Sequence, residues 1–241
     1  MEIKKTLICS ATQKSTPEET TLFKSLEKLD IDADVHFFLE NTRALAKVYN
    51  DSVDKALEDD VDCLILVHDD VILEENPIPK LENLFEEYDL VGVAGASKVE
   101  IKSPALWHLM GGGAGWYDAH CNLHGCVQHS QIVHGRMGYG GNNGDEVIKT
   151  KSNFGKYPHR VVMIDGVFMA LNREALKELN FNNDCPSKFH FYDLIASLSF
   201  HSKGGRVGVG DILITHESPG LREFTDEWRA GEKYFIENYG N

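Results

Sequence analysis

Two adjacent carboxylates, Asp69 and Asp70, come almost directly after a fully apolar run, Cys63 to Val67, with only His68 between them. An apolar run without alternation is typical of a strand that is buried on both faces. Open α/β sheets bind ligands at the carboxyl ends of such strands. Adjacent carboxylates repel each other unless a cation or hydrogen-bond donors offset their charge, so the pair indicates a hard divalent metal. The alternative is a polar turn after a core strand, because acidic residues are common in turns.

Strands and helices alternate on the amino-terminal side of this run. The pattern predicts strands at 6–10 and 34–39 and helices at 18–29 and 42–58. Such an alternation indicates a parallel, doubly wound sheet with right-handed crossovers. A helix over 80–88 and a strand over 90–94 continue it.

The regular pattern stops at about residue 96. Residues 96–157 are rich in Gly and His and show little periodicity, which indicates a long loop that a compact domain keeps only for function or disorder. Regularity returns with a strand over 160–171 that is broken at Asp165 and Gly166. A helix from Arg173, a helix around Leu194, short strands at 206–209 and 212–215 and a terminal helix over 222–239 complete the prediction. We expect a single domain, residues 1–241, with two functional halves.

Composition limits the classes of function. Of the 241 residues, 42% are hydrophobic and 26% are charged, as in an ordinary soluble globular protein. The formal net charge of −14 argues against general binding to nucleic acid or to an anionic membrane surface. A phosphate-bearing ligand would need local donors or a metal to offset this field.

The sequence also carries expectations about location. We see no signal peptide at the amino terminus, and no apolar stretch approaches the roughly 20 residues that span a bilayer. The five cysteines are odd in number, and two lie in predicted core strands. Reduced thiols in a cytoplasmic protein fit this pattern best.

Four segments together resemble a known family. They are Val67-His68-Asp69-Asp70-Val71, the stretch 162–170 with Arg173, Phe189-His190-Phe191-Tyr192-Asp193-Leu194, and Thr215-His216-Glu217-Ser218. In this order they resemble the GT-A fold glycosyltransferases, in the family 2-like branch whose short aspartate motif reads His-x-Asp-Val. The resemblance implies a Rossmann-like α/β fold, a three-layer sandwich with a mostly parallel central sheet. It also implies a nucleotide-binding half, residues 1–95, and an acceptor-binding and catalytic half, residues 96–241.

The resemblance assigns a metal site. By position, Asp70 resembles the ligand of Mn²⁺ or Mg²⁺, and Asp69 would face the nucleotide or metal-bound water. His216 resembles the carboxy-terminal metal or phosphate ligand of the family, and an imidazole ligand would favour Mn²⁺ over Mg²⁺. Without the family context, His216 would be read as an ordinary surface histidine.

The resemblance also assigns a catalytic residue. Asp193 occupies the place of the aspartate that acts as general base in inverting transfer, removing a proton from the acceptor hydroxyl. The alternative is a carboxylate favoured at a helix start by the helix dipole. Tyr192 stands where many relatives carry glutamate, a departure that concerns acceptor contacts more than the base.

Donor contacts are expected after three strands. Asp165 and Gly166 resemble the segment beside donor sugar and acceptor, and glycine in a strand permits a close backbone approach to a ligand. Base and ribose contacts fall by position on Ser10, Thr12, Asn41 and Arg43.

The resemblance thus implies a metal-dependent, inverting glycosyltransferase acting in glycan or polysaccharide synthesis. It would move a sugar from a nucleoside diphosphate donor, with a UDP-sugar as first choice, to a glycan or other hydroxyl acceptor. A nucleotidyltransferase of similar fold is the second reading. That class usually has a Gly-rich loop with Arg and Lys after the first strand, which Cys9 to Lys14 lack.

A third reading is a non-catalytic module that binds zinc or carbohydrate. Zinc ligands are available at His120, Cys121, His124, Cys126, His129 and His134, although no Cys-x-x-Cys pair is present. With Trp107, Trp116 and Tyr117 nearby, an acceptor-binding loop is favoured over zinc, because aromatic faces pack against sugar rings. The glycines from Gly111 to Gly115 indicate flexibility and are not a dinucleotide fingerprint.

Overall fold

The structure is a computed structural model that describes residues 2–98, 122–133, 146–218 and 224–239. A 3-10 turn, Pro17–Glu19, precedes the first α-helix. The helices are α1 (Thr21–Leu26), α2 (Leu45–Glu58), α3 (Ile78–Leu84), α4 (Arg173–Glu178), α5 (Tyr192–Ser202) and α6 (Asp226–Tyr239). None of the helices in these ranges is long and apolar enough to cross a membrane.

The described strands form two sheets. They are β1 (Thr6–Ala11), β2 (Asp34–Phe38), β3 (Cys63–Val67), β4 (Val71–Leu73), β5 (Leu90–Gly92), β6 (Ala94–Ala96), β7 (Leu123–Val133), β8 (Glu146–Asn153), β9 (His159–Arg160), β10 (Met163–Ile164), β11 (Phe168–Asn172), β12 (Val207–Val209) and β13 (Ile214–His216). The central sheet has the order β2-β1-β3-β11-β5-β12-β9. Strands β2, β1, β3, β5 and β12 run in one direction, while β11 and β9 run against them. The mostly parallel central sheet is therefore confirmed.

Residues of β3 alternate between two hydrophobic cores. Cys63, Ile65 and Val67 face a core that includes residues of α1, α3 and α6. Leu64 and Leu66 face a second core, with residues of α2, α4 and α5. Because successive side chains of a strand point to opposite faces, an apolar run without alternation needs such a layer on each side. The three-layer α/β class follows directly from this packing.

The second sheet has the order β10-β6-β7-β13-β4, with β8 paired to β7. The chain passes between the two sheets repeatedly, including from β3 to β4, from β5 to β6, from β10 to β11 and from β12 to β13. Two of these crossings, 68–70 and 165–167, are joined by a hydrogen bond from the His68 N–H to the Val167 carbonyl. The residues with predicted chemistry therefore lie where the two sheets meet.

The prediction of a long loop over 96–157 was wrong for its described parts. Strands β7 and β8 pair antiparallel from Cys126 with Asn153 to Val133 with Glu146. Gly125 has φ +96° and interrupts the regular extension of β7 where it leaves β6. Polar residues such as Gln128 and His129 lie within β7, so the hydrophobic alternation that marks an ordinary strand is missing.

Side-chain caps fix where two helices begin: α1 is shorter than predicted, and α4 begins at Arg173 as predicted. The region expected as one helix over 18–29 divides at Thr20, whose side chain accepts a hydrogen bond from the Phe23 N–H and caps α1. At α4, the Asn172 side chain accepts from the N–H groups of Glu174 and Ala175. The predicted break at Asp165 and Gly166 is confirmed, since β10 ends at Ile164 and β11 begins at Phe168.

Candidate metal and donor site

Three side chains converge at the junction of β3, β4 and β13. One ligand atom from each of His68, Asp70 and His216 lies within 4.8 Å of the others. The closest of these contacts joins His216 Nε2 and Asp70 Oδ1 at 3.2 Å. Sequence analysis expected Asp70 and His216 to meet in this way.

Backbone pairing brings these distant segments together. Strand β13 runs antiparallel to β4 with His216 opposite Val71, and the Glu217 N–H donates to the Asp70 carbonyl at 2.9 Å. On its other side β13 is parallel to β7, with His216 in register with His129. The position of His216 is thus fixed on both sides by strand pairing.

The charges in this group stabilise one another. Burial alone would raise the pKa of Asp70, but the neighbouring His216 and His68 rings outweigh it and hold that pKa below its usual value. Burial lowers and the Asp70 carboxylate raises the pKa of His216, and the carboxylate dominates. For His68, burial dominates and lowers the pKa, which favours the neutral ring that can bind a metal.

The residues present fit a divalent cation. Asp70 Oδ1 is buried and accepts no well-formed hydrogen bond, so a buried anionic oxygen faces the two rings. Two imidazoles and one carboxylate form a donor set that binds divalent transition metals and leaves positions for other ligands. Mn²⁺ accepts these ligands more readily than Mg²⁺, which prefers oxygen.

Sequence reasoning missed His68 as a member of this group. The feature of the sequence that could have identified His68 is its position two residues before Asp70 at a strand end. This spacing can place both side chains on the same side of the chain. The pairing of β4 with β13 was needed to show that His216 reaches the same point.

A pocket of about 520 Å³ opens beside the metal-binding group. It lies at the carboxyl ends of β1 and β3, where ligands bind in open α/β sheets. Its walls include four residues that sequence analysis assigned, namely Thr12, Asn41, Asp69 and Asp70. They also include His68 and residues that it did not assign: Ala11, Gln13, Lys14, Leu45, Tyr49 and Phe189.

Thr12 and Asn41 are held rigidly in the wall. The Thr12 hydroxyl donates to Asp69 Oδ2 at 2.5 Å and accepts from the Lys14 N–H at 3.1 Å. The Asn41 N–H donates to the Thr12 carbonyl at 2.8 Å, and the Asn41 side chain accepts from the Arg43 N–H. These bonds connect the loops after β1, β2 and β3 into one pocket wall.

Two of the residues predicted to contact base and ribose, Arg43 and Ser10, do not line the pocket. The Arg43 guanidinium pairs with the carboxylate of Asp51 on α2, outside the lining residues. Ser10 is only 1% exposed and lies inside β1, so its side chain does not reach the pocket surface.

Asp193 lies in the first turn of α5, next to the crossing at Asp165 and Gly166. Its Oδ2 accepts a hydrogen bond of 2.7 Å from the Gly166 N–H. Within the crossing itself, the Asp165 carboxylate accepts a hydrogen bond of 2.9 Å from the Val167 N–H. Burial and, as a smaller contribution, the nearby Asp165 carboxylate together raise the pKa of Asp193 to about 7. A carboxylate with a pKa near neutrality is well suited to take up a proton at physiological pH.

Gly166 lets α5 pack closely against the crossing between β10 and β11. A Cβ at this position would lie 2.1 Å from the Tyr192 hydroxyl oxygen and 2.9 Å from the Asp193 Cβ. The close approach that glycine permits is therefore to α5, and Gly166 is not among the pocket-lining residues.

The zinc reading gains no support from the described part of the chain. His120, Cys121 and His134 lie outside the described residues, as do Trp107, Trp116, Tyr117 and the glycines 111–115. Cys126 and His129 are three residues apart on β7 and point to opposite faces of the sheet. His124 packs against His159 with ring centroids 3.8 Å apart. Within the described ranges, the one group able to hold a metal is His68, Asp70 and His216.

Comparison with known sequences identifies the family. Residues 8–239 match the family described as "Glycosyltransferase like family", which is nearly the whole chain. The chain belongs to this family. Membership together with the strand topology confirms the GT-A type α/β fold that the resemblance implied.

Individual proteins similar to this chain share less than 25% of their residues with it. The chain is similar to the streptomycin biosynthesis protein StrF of Streptomyces griseus, with 24% identity over 222 residues, covering 89% of this chain and 67% of StrF. Among solved structures, A197 from STIV gives a TM-score of 0.48 at 15% identity, covering 92% of this chain and 98% of A197. A glycosyltransferase involved in glycosylation of the major capsid of PBCV-1 gives a TM-score of 0.40 at 12% identity, covering 95% of this chain and 98% of that one.

Proposed function

We propose that this protein transfers a sugar from a nucleoside diphosphate-sugar to a hydroxyl acceptor with the help of a divalent metal. The observation that carries the proposal is the shared position of Asp70, which belongs both to the metal-binding group and to the pocket wall. A diphosphate in the pocket would lie beside the metal, while a nucleoside would occupy the part lined by Thr12, Asn41 and Phe189. A UDP-sugar is the first donor to test.

Each part of the site has a task in this reaction. The acceptor oxygen forms a bond to the anomeric carbon as the bond from that carbon to the diphosphate oxygen breaks. Asp193 takes the proton of the acceptor hydroxyl, and its raised pKa suits it to do so near neutral pH. A bound Mn²⁺, held by His68, Asp70 and His216, would stabilise the charge that develops on the departing diphosphate.

The proposal also covers the stereochemistry of transfer, the tasks of the two halves of the domain and the location of the protein. A single displacement with Asp193 as base inverts the configuration at the anomeric carbon. Residues 1–95 supply the donor pocket, and residues 96–241 supply the base and the acceptor side of one domain. We also propose a cytoplasmic location, which the odd number of cysteines favours.

The test is an assay of turnover. We would incubate the protein with Mn²⁺, a panel of nucleotide sugars and simple glycosides as acceptors, and detect nucleoside diphosphate and glycosylated product by mass spectrometry. The proposal predicts both products with wild type, and neither above background with Asp70→Asn. A matched control is Asp54→Asn, which changes an exposed carboxylate on α2 away from the pocket.

Two outcomes would overturn the proposal. One is the absence of product from every nucleotide sugar in the panel. The other is the release of pyrophosphate from a nucleoside triphosphate and a sugar phosphate, which would identify a nucleotidyltransferase.

A further inference from the structure

Tyr192 forms a direct link between α5 and the metal-binding group. Its hydroxyl oxygen lies 2.8 Å from Nε2 of His68, within hydrogen-bond distance. Tyr192 is the residue that departs from the family pattern, and it is adjacent in sequence to Asp193. The tyrosine that replaces the glutamate of many relatives therefore contacts His68 in this chain.

The surroundings hold the Tyr192 hydroxyl in one place. The side chain is only 3% exposed, and its ring packs edge-on against Tyr49 with centroids 5.3 Å apart and near Phe181 at 6.3 Å. Gly166 closes the remaining side, since a Cβ there would lie 2.1 Å from the hydroxyl oxygen. Tyr192 thus has little freedom to move its hydroxyl away from His68.

A histidine that binds a metal through one ring nitrogen usually makes a hydrogen bond through the other, which fixes the tautomer and the ring orientation. The contact to Tyr192 occupies Nε2 and leaves Nδ1 as the nitrogen available to a metal.

We propose that Tyr192 is a positioning residue that accepts the Nε2 proton of His68 in a hydrogen bond and so presents Nδ1 of His68 to the metal. The inference rests on the proposed metal-dependent function and adds a residue to it. It also links the metal site to the segment that carries Asp193, because Tyr192 and Asp193 are consecutive residues of α5.

Tyr192→Phe removes the hydroxyl and keeps the ring, so it tests the proposal with little change in packing. We expect the affinity for Mn²⁺, measured by titration calorimetry without nucleotide, to fall about 10–100-fold, as for the loss of comparable outer partners of metal ligands. The matched control is Tyr88→Phe, a buried tyrosine outside the site, which should leave the affinity unchanged. Melting temperatures in chelator equal to that of wild type would show that both variants are folded.

A double-mutant cycle separates positioning from general support of the fold. If Tyr192 acts through His68, Tyr192→Phe should lower the Mn²⁺ affinity of wild type but not that of the His68→Ala variant. An equal loss in both backgrounds would overturn the proposal, as would an unchanged affinity in Tyr192→Phe.

A second measurement needs no variant. The ¹⁵N shifts of the His68 ring in metal-free wild type report its tautomer, and the proposal requires the proton on Nε2. A proton on Nδ1 would contradict it. If wild type bound no Mn²⁺ at all, the metal-dependent function itself would fail, and this result is distinct from the outcomes that reject only the role of Tyr192.

Discussion

Asp193 accepts a hydrogen bond of 2.7 Å from the backbone N–H of Gly166. This contact joins the start of α5 to the crossing between β10 and β11, so the orientation of the carboxylate depends on backbone and not on a mobile side chain. The Gly166 N–H thus fixes the position of one carboxylate oxygen of Asp193.

Asp193→Asn should remove transfer and preserve donor binding. The amide keeps the shape and can still accept from Gly166, but it cannot take a proton. General base catalysis contributes about 10²–10⁴-fold, so we expect kcat to fall by that factor with an unchanged dissociation constant for the donor nucleotide. Asp184→Asn, an exposed aspartate, is the control, and an Asp193→Asn variant with normal kcat would remove Asp193 from the mechanism.

The raised pKa of Asp193 predicts a pH-dependent difference in stability. The folded protein keeps the carboxyl protonated up to about pH 7, whereas the unfolded chain loses this proton near its ordinary pKa of about 4. Between these values the unfolded state binds fewer protons, so this group lowers the free energy of unfolding as pH rises and has no further effect above about 7.

Urea unfolding in chelator at several pH values measures this effect. The stability of Asp193→Asn relative to wild type should increase from pH 4.5 to pH 7 and then level off. A difference that is the same at every pH would mean that Asp193 ionises as an ordinary aspartate.

Thr12→Val should loosen the pocket wall. The variant removes the hydroxyl that donates to Asp69 and accepts from the Lys14 N–H, with little change in volume. A hydrogen bond to a charged group contributes about 1.5–3 kcal/mol, so we expect a loss of this order in the free energy of unfolding and weaker binding of the nucleotide. Thr150→Val, on the exposed side of β8, should change neither quantity, and an unaltered Thr12→Val protein would show that this bond has no role.

Gly166→Ala should destabilise the protein by about 1–3 kcal/mol, because the new methyl group overlaps the buried Tyr192 hydroxyl. It should also weaken Mn²⁺ binding by moving that hydroxyl from His68. Gly204→Ala provides a contrast, since its φ of +97° disfavours alanine but no atom lies within 4 Å of the new methyl group. It should lose stability without any change in Mn²⁺ affinity, and equal Mn²⁺ affinities in the two variants would contradict the role of Gly166.

The sequence predicted the parts of this molecule that depend on local pattern. The apolar run of β3 predicted both its burial and the position of Asp70 at its end, because burial on two faces leaves a clear hydrophobic signal. His216 required the family resemblance, since a histidine after a short strand carries little information by itself.

Other parts depend on contacts between distant segments, which local pattern does not show. His68 joins the metal-binding group only because β13 pairs with β4. The strands β7 and β8 lack a regular apolar alternation, and Gly125 breaks it further. Arg43 was placed by its position after β2, but its nearest carboxylate is Asp51 on the following helix, and that pairing takes it from the pocket.

The most direct test of the account is thermal unfolding with a panel of nucleoside diphosphates, each with Mn²⁺ and with chelator, for wild type, Asp70→Asn and the control Asp54→Asn. A ligand at about 100 times its dissociation constant adds roughly 2.7 kcal/mol to the free energy of unfolding, which is visible as a higher melting temperature. We predict that at least one nucleotide stabilises wild type and Asp54→Asn in Mn²⁺ only, and does not stabilise Asp70→Asn. Stabilisation that is equal in chelator, or equal in Asp70→Asn, would contradict a metal-dependent donor site at Asp70.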